Sequence, residues 1–141
     1  MNYPRWYIQR PGSEGTIDLD AYEAEAQPFR RHLVEIGELL PAGESSSQWK
    51  AARRRLGADA TSPFTVVVDD KEWFPAFYLD ESLNVNDLQA VVTSLGALAG
   101  WSKFHFLVAK NLSLGRRTPL DALRKGETEA VVRAAGAFAE T

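Results

Sequence analysis

The sequence predicts an α+β protein, mostly α: N-terminal helices with a β-hairpin, followed by a small C-terminal helical bundle. Three observations predict it. Apolar residues recur at helical spacing in Leu88, Val91, Val92, Leu95 and Leu98, and again in Val131, Val132, Ala135 and Phe138. The β-branched run Phe64-Thr65-Val66-Val67-Val68 is followed by Asp69-Asp70 as a turn and by Lys71-Glu72-Trp73-Phe74 as a returning strand. Between the two stripes, Leu112 to Gly126 carries full helix punctuation. Gly115 is free to take a positive φ, Thr118 is an N-cap, Pro119 suits the first helical position, and Gly126 stops the helix.

Size and composition fit this class. The chain has 141 residues, 45% of them hydrophobic and 25% charged, which suits one domain or one domain with a small appendage. The formal net charge is −3, so a nucleic-acid contact has to come from a local basic patch. The sequence contains no cysteine, which excludes disulfides, thiol nucleophiles and cysteine-held metals. No apolar run is long enough to span a bilayer, and Met1–Trp6 does not open a signal peptide. The expected location is the cytoplasm, with no membrane partner.

In chain order, Tyr3–Arg10 reads as a short strand and Pro11–Gly15 as a loop. Asp18 or Asp20 caps a helical turn over Ala21–Ala26, which Pro28 interrupts. Phe29, Leu33, Ile36 and Leu40, with Leu39, predict a helix from Phe29 to Leu40, ended by Pro41-Ala42-Gly43. Ser45, Ser46 and Ser47 offer caps for a helix Ser47–Leu56, with Trp49, Ala52 and Leu56 inward and Gly57 at its close. Lys50, Arg53 and Arg54 share its other face, flanked by Arg55. Helix, short turn, helix and then hairpin is the outline of a helix-turn-helix with a wing. A plain solvated helix face accounts for the same arginines, and the acidic hairpin tip opposes a DNA contact.

Beyond Pro75, Ala76–Asp80 reads as extended. Asn84 or Asn86 caps a helix that Gly96 weakens and Gly100 ends. Ser102 caps a helix Lys103–Lys110, and Thr128 caps the last one. The predicted domains are 1–72, a helical and hairpin region resembling a degenerate winged helix-turn-helix, and 73–141, a helical binding domain.

The sequence offers no catalytic constellation and no cofactor motif, so the expectation is no enzyme, no cofactor and no metal. His32 and His105 read as surface or packing residues. Arg116 and Arg117 have two readings. They are loop arginines paired with Asp121 or Glu127, or guanidinium groups presented to an anionic or polar partner.

One resemblance adds to this. Four segments carry it: Trp73-Phe74-Pro75-Ala76-Phe77-Tyr78-Leu79, the helix ending Leu95-Gly96, Gly100-Trp101-Ser102-Lys103-Phe104-His105-Phe106-Leu107, and Leu114-Gly115-Arg116-Arg117-Thr118-Pro119-Leu120-Asp121-Ala122-Leu123-Arg124-Lys125-Gly126. With the Ala-rich final helix they are similar to the toxin-binding domain of the Xre/MbcA/ParS antitoxins, from about Trp73 to Ala139. The resemblance implies a non-enzymatic protein that binds and blocks a RES-domain toxin, an NAD-consuming protein, with the antitoxin's C-terminal helices at the toxin's active-site entrance. Many members also carry a helix-turn-helix and repress their own operon. Carried over, Arg116, Arg117, Thr118, Arg124, Arg133 and Phe138 become candidate partner contacts. The family often has a second glycine where this chain has Arg116, and residues 1–60 depart from the usual Xre-type helix-turn-helix.

The expected function is thus an antitoxin-like protein that binds a partner toxin and takes part in autoregulation. The alternative is a DNA-binding transcriptional regulator without a toxin, through Lys50, Arg53, Arg54 and Arg55. A homodimer is a further candidate assembly, because Trp6, Trp49 and Trp101 suggest exposed aromatic surface.

Overall fold

The structure is a computed structural model that describes residues 19–57 and 62–140. The expected strand Tyr3–Arg10, the loop Pro11–Gly15, the Asp18 cap and Trp6 lie outside the described residues.

Helix α1 (Leu19–Glu35) continues through Pro28. Proline removes one bond of the helical ladder. Ala26, Phe29 and Leu33 nevertheless form one buried stripe across it, so packing keeps the helix continuous. The helix ends earlier than the apolar spacing predicts. Gly37 takes φ 79°, Gly37 N–H bonds Val34 O at 3.2 Å, and Glu38 N–H bonds Leu33 O at 2.9 Å. That pair of bonds is a Schellman stop. Leu39 and Leu40 therefore leave the helix and form strand β1 (Leu39–Pro41). Ile36 is left exposed.

Helix α2 (Ser47–Leu56) has the predicted bounds. Ser46 Oγ accepts the Trp49 N–H, and Gly57 closes the helix at φ 93°. The two helices are thus separated by a strand, not by the short turn of a helix-turn-helix. Trp49 is not surface aromatic: it is buried, with its ring 5.4 Å from that of Phe74.

Strands β2 (Val66–Val68) and β3 (Lys71–Pro75) form the predicted hairpin, with β2 shorter than expected. Asp69 and Asp70 both take positive φ, 51° and 65°. That geometry matches the right-handed twist of a two-residue hairpin. β1 pairs with the far side of β3, giving an antiparallel sheet of order β1-β3-β2. A boundary between residues 72 and 73 falls inside β3, and one hydrophobic cluster runs from Phe29 to Ala135.

Ala76–Leu79 is a 3₁₀ turn and not an extended segment. It inserts Tyr78 fully into the core, where the hydroxyl accepts the Phe64 N–H at 3.3 Å and donates to Gln89 Oε1 at 3.4 Å. Helix α3 (Val85–Ser94) is capped by Asn84 and stops before Gly96, whose φ is 64°. Leu98 therefore lies beyond it. Helix α4 (Gly100–Val108) begins at Gly100, two residues ahead of the expected Ser102 cap. Its first turn lies directly against the Thr65 backbone, and a Cβ at Gly100 overlaps the Thr65 carbonyl oxygen. Only glycine permits that approach. Helices α5 (Pro119–Arg124) and α6 (Thr128–Ala139) complete the bundle. α6 begins after Glu127 with no side-chain cap, so Thr128 is its first residue and not its cap. Val131 and Ala135 of α6 are fully buried, and α6 packs chiefly on α3.

Among the described residues, no helix is long and apolar enough to cross a membrane.

Candidate functional site

The segment from Asn111 to Thr118 joins α4 to α5 and is closed by its own backbone. Asn111 N–H bonds Arg117 O at 3.0 Å, and Asn111 O accepts Leu114 N–H at 3.1 Å and Arg116 N–H at 2.9 Å. The Asn111 side chain accepts Ser113 N–H at 2.9 Å and the Ser113 hydroxyl. One residue therefore bonds both ends of the loop. Leu114 is the buried anchor.

Two consecutive residues then take the left-handed conformation, Gly115 at φ 68° and Arg116 at φ 65°. For glycine this costs little. For arginine it costs about 1–2 kcal/mol, so the surrounding bonds have to hold it there. Arg116 is exposed, and so is Leu112, at 45%. A guanidinium and an isobutyl group thus face solvent from a loop whose other members are tied down.

Arg117 is not presented outward. Its Nη1 and Nη2 each meet a Glu127 carboxylate oxygen at 2.6 Å, and its Nε donates to Leu114 O at 2.9 Å. Of the two sequence readings, pairing holds for Arg117. Thr118 Oγ1 accepts Asp121 N–H at 3.1 Å and caps α5 as predicted. α5 ends in a second Schellman stop, with Gly126 N–H on Leu123 O at 2.9 Å and Glu127 N–H on Ala122 O at 3.1 Å.

Arg124 is also engaged within the chain. It donates Nε to Ser82 Oγ at 2.9 Å, Nη1 to Asp121 Oδ1 at 2.7 Å and Nη2 to Asp80 Oδ2 at 2.8 Å. The Ser82 hydroxyl and the Arg124 guanidinium pull the Asp80 carboxyl down to about 2. Arg133 is exposed on α6, whereas the half-buried Phe138 ring turns to Phe106, with 5.1 Å between centroids.

The basic face of α2 is divided in the same way. Arg53 pairs with Glu44, and Arg55 donates to the carbonyls of Tyr78 and Leu83. Lys50 and Arg54 remain exposed. At the hairpin tip Arg31 holds Asp69 at 3.0 Å, beside the exposed Asp70. Trp101 is half-buried: its Nε1 donates to Val67 O at 3.3 Å, and the Arg30 guanidinium carbon lies 4.5 Å from its ring centre. His32 is exposed and His105 is buried in α4. Among the described residues, no group of three or more His, Asp or Glu side chains could hold a metal ion.

Sequence reasoning missed Asn111 as the loop's clamp and Leu112 as its exposed apolar group. The Asn-x-Ser spacing carries the signal for the first, since an Asn side chain bonds backbone two residues on. Nothing in the sequence distinguishes Leu112 from the buried Leu114. No family model, no curated protein and no solved structure matches this chain. The fold and the site define an α+β scaffold that holds one strained loop with a cation and an apolar side chain outward.

Proposed function

We propose that this chain is an antitoxin-like protein that binds and blocks a partner protein, of the RES type by resemblance, with the 111–118 loop at the contact. The observation that carries this reading is Arg116. A non-glycine residue held at φ 65° by the loop's own backbone bonds, with its side chain in solvent, is local strain at an exposed position. The family the sequence resembles often places glycine there, and a left-handed backbone is what glycine serves. A rigid loop offering arginine and leucine also has the composition of a protein contact more than of a substrate pocket.

Autorepression or a regulator role draws on the α2 face. With Arg53 and Arg55 engaged inside the chain, it rests on Lys50 and Arg54.

The test is capture of partners by the full tagged chain from its native host at moderate salt. The expected result is one stoichiometric protein whose NAD-consuming activity falls when the chain is added back in equal amount. Recovery of nucleic acid alone, lost at high salt, supports the regulator instead. Truncation after Gly126 is a poor control, because it removes Val131 and Ala135 from the core. Point changes in the loop are the proper ones.

A further inference from the structure

Beside the loop lies a cleft of about 410 Å³, lined in part by Phe77, Asp80, Val108 and Leu120. It brings together Thr118 and Arg124, two of the candidate contact residues, with Glu38, which no sequence argument singled out. Its floor is apolar: Phe77, Val108 and Leu120. Its charged lining is two carboxylates, Glu38 and Asp80, and one guanidinium, Arg124.

Arg124 offers an anion little, because each of its three nitrogens already donates, to Ser82, Asp121 and Asp80. Glu38 is the converse. The Schellman stop of α1 and the Ala76 N–H, which bonds Glu38 O at 2.9 Å, fix its backbone beside the 3₁₀ turn. Glu38 is half-buried as a residue, and its carboxylate makes no hydrogen bond or ion pair among the described residues. The Arg124 guanidinium is thus matched by Asp80 and Asp121, and Glu38 is left as the uncompensated carboxylate of the lining. The complement is a cation on an aliphatic stem, whose methylenes cover the floor while its head reaches Glu38.

We propose that this cleft receives an arginine or lysine side chain of the partner protein. The proposal deepens the partner-binding reading and rests on it. An acidic side chain meets uncompensated carboxylate, and a purely apolar one leaves Glu38 unpaired.

The test uses the full chain alone, so its outcome is separate from whether a toxin exists. Amide chemical shifts are followed by NMR during titration with n-butylguanidinium, n-butanol and butyrate. The expected result is saturable shifts at Glu38, Phe77, Val108 and Leu120 with the cation only. Glu38→Gln should weaken them by roughly three- to fivefold, with the rest of the spectrum reporting an intact fold. Equal saturation by butanol, preference for butyrate, or no saturable shift at these amides overturns the proposal. Should the cation bind while no partner is captured, the cleft's preference for a cation stands, and the antitoxin reading fails together with the assignment of that cation to a partner.

Discussion

Glu127 receives both terminal nitrogens of Arg117 at 2.6 Å while its own backbone N–H closes α5 on Ala122 O at 3.1 Å. One residue therefore ends α5, begins α6 and holds the loop before α5. The strained Arg116 sits immediately beside this junction, so the loop's shape depends on the bundle's.

Arg117→Ala removes the pair and the bond to Leu114 O together. Amide exchange at Leu114–Arg117 should accelerate while that of α3 stays protected, because the core is untouched. Hydrogen exchange with mass-spectrometric readout measures both regions in one sample.

Acid should loosen the α5 clasp. With its carboxyl at about 2, Asp80 binds its proton less readily folded than unfolded. Its contribution is complete above about pH 4 and is lost as pH falls toward 2. Glu127, also held below its ordinary value by Arg117, loses its contribution in the same direction. Asp80→Asn should cost about 1 kcal/mol at pH 7 after solvent screening. Urea unfolding at pH 7 and pH 3 should show the difference shrinking at the lower pH.

Gly100→Ala places a methyl group on the Thr65 carbonyl. Backbone has to move to relieve it, so about 2–4 kcal/mol of stability should be lost. Thermal unfolding of the single variant measures this. An unchanged midpoint contradicts the close approach.

Arg55 separates the two roles of the α2 face. Arg55→Ala frees the carbonyls of Tyr78 and Leu83 and should cost about 1–2 kcal/mol. Lys50→Ala with Arg54→Ala should leave stability within about 0.5 kcal/mol. If the chain binds duplex DNA, that double variant reduces the salt dependence of binding, as measured by fluorescence anisotropy across a salt series.

Much of the fold was legible in the sequence because its signals are local. Ser46, Asn84, Thr118 and Gly126 act through the next few backbone groups, and the stripes of α3 and α6 face the core as their spacing implies. What misled is equally specific. Leu39 and Leu40 continue the α1 spacing, but Gly37 and the open edge of β3 take them for a strand. Pro28 reads as a break, and burial of Ala26, Phe29 and Leu33 overrides it. Gly100 reads as a stop because its purpose, contact with Thr65, lies across the fold. Of the candidate site, the loop was legible and its wiring was not. Arg116 and Arg117 are identical letters, and only Glu127 in three dimensions sends one inward while the other stays exposed.

The role proposed for the loop is that of a contact surface held in shape by the bundle. The most direct measurement is the affinity of the captured partner for wild type, Arg116→Gly and Leu112→Ser, with urea stability determined on the same samples. Arg116→Gly relieves the left-handed arginine and should raise stability by up to about 1 kcal/mol. Predicted is at least a tenfold loss of affinity, about 1.4 kcal/mol, in both variants with neither destabilised. Unchanged affinity for Arg116→Gly in a fully folded chain rules out that role.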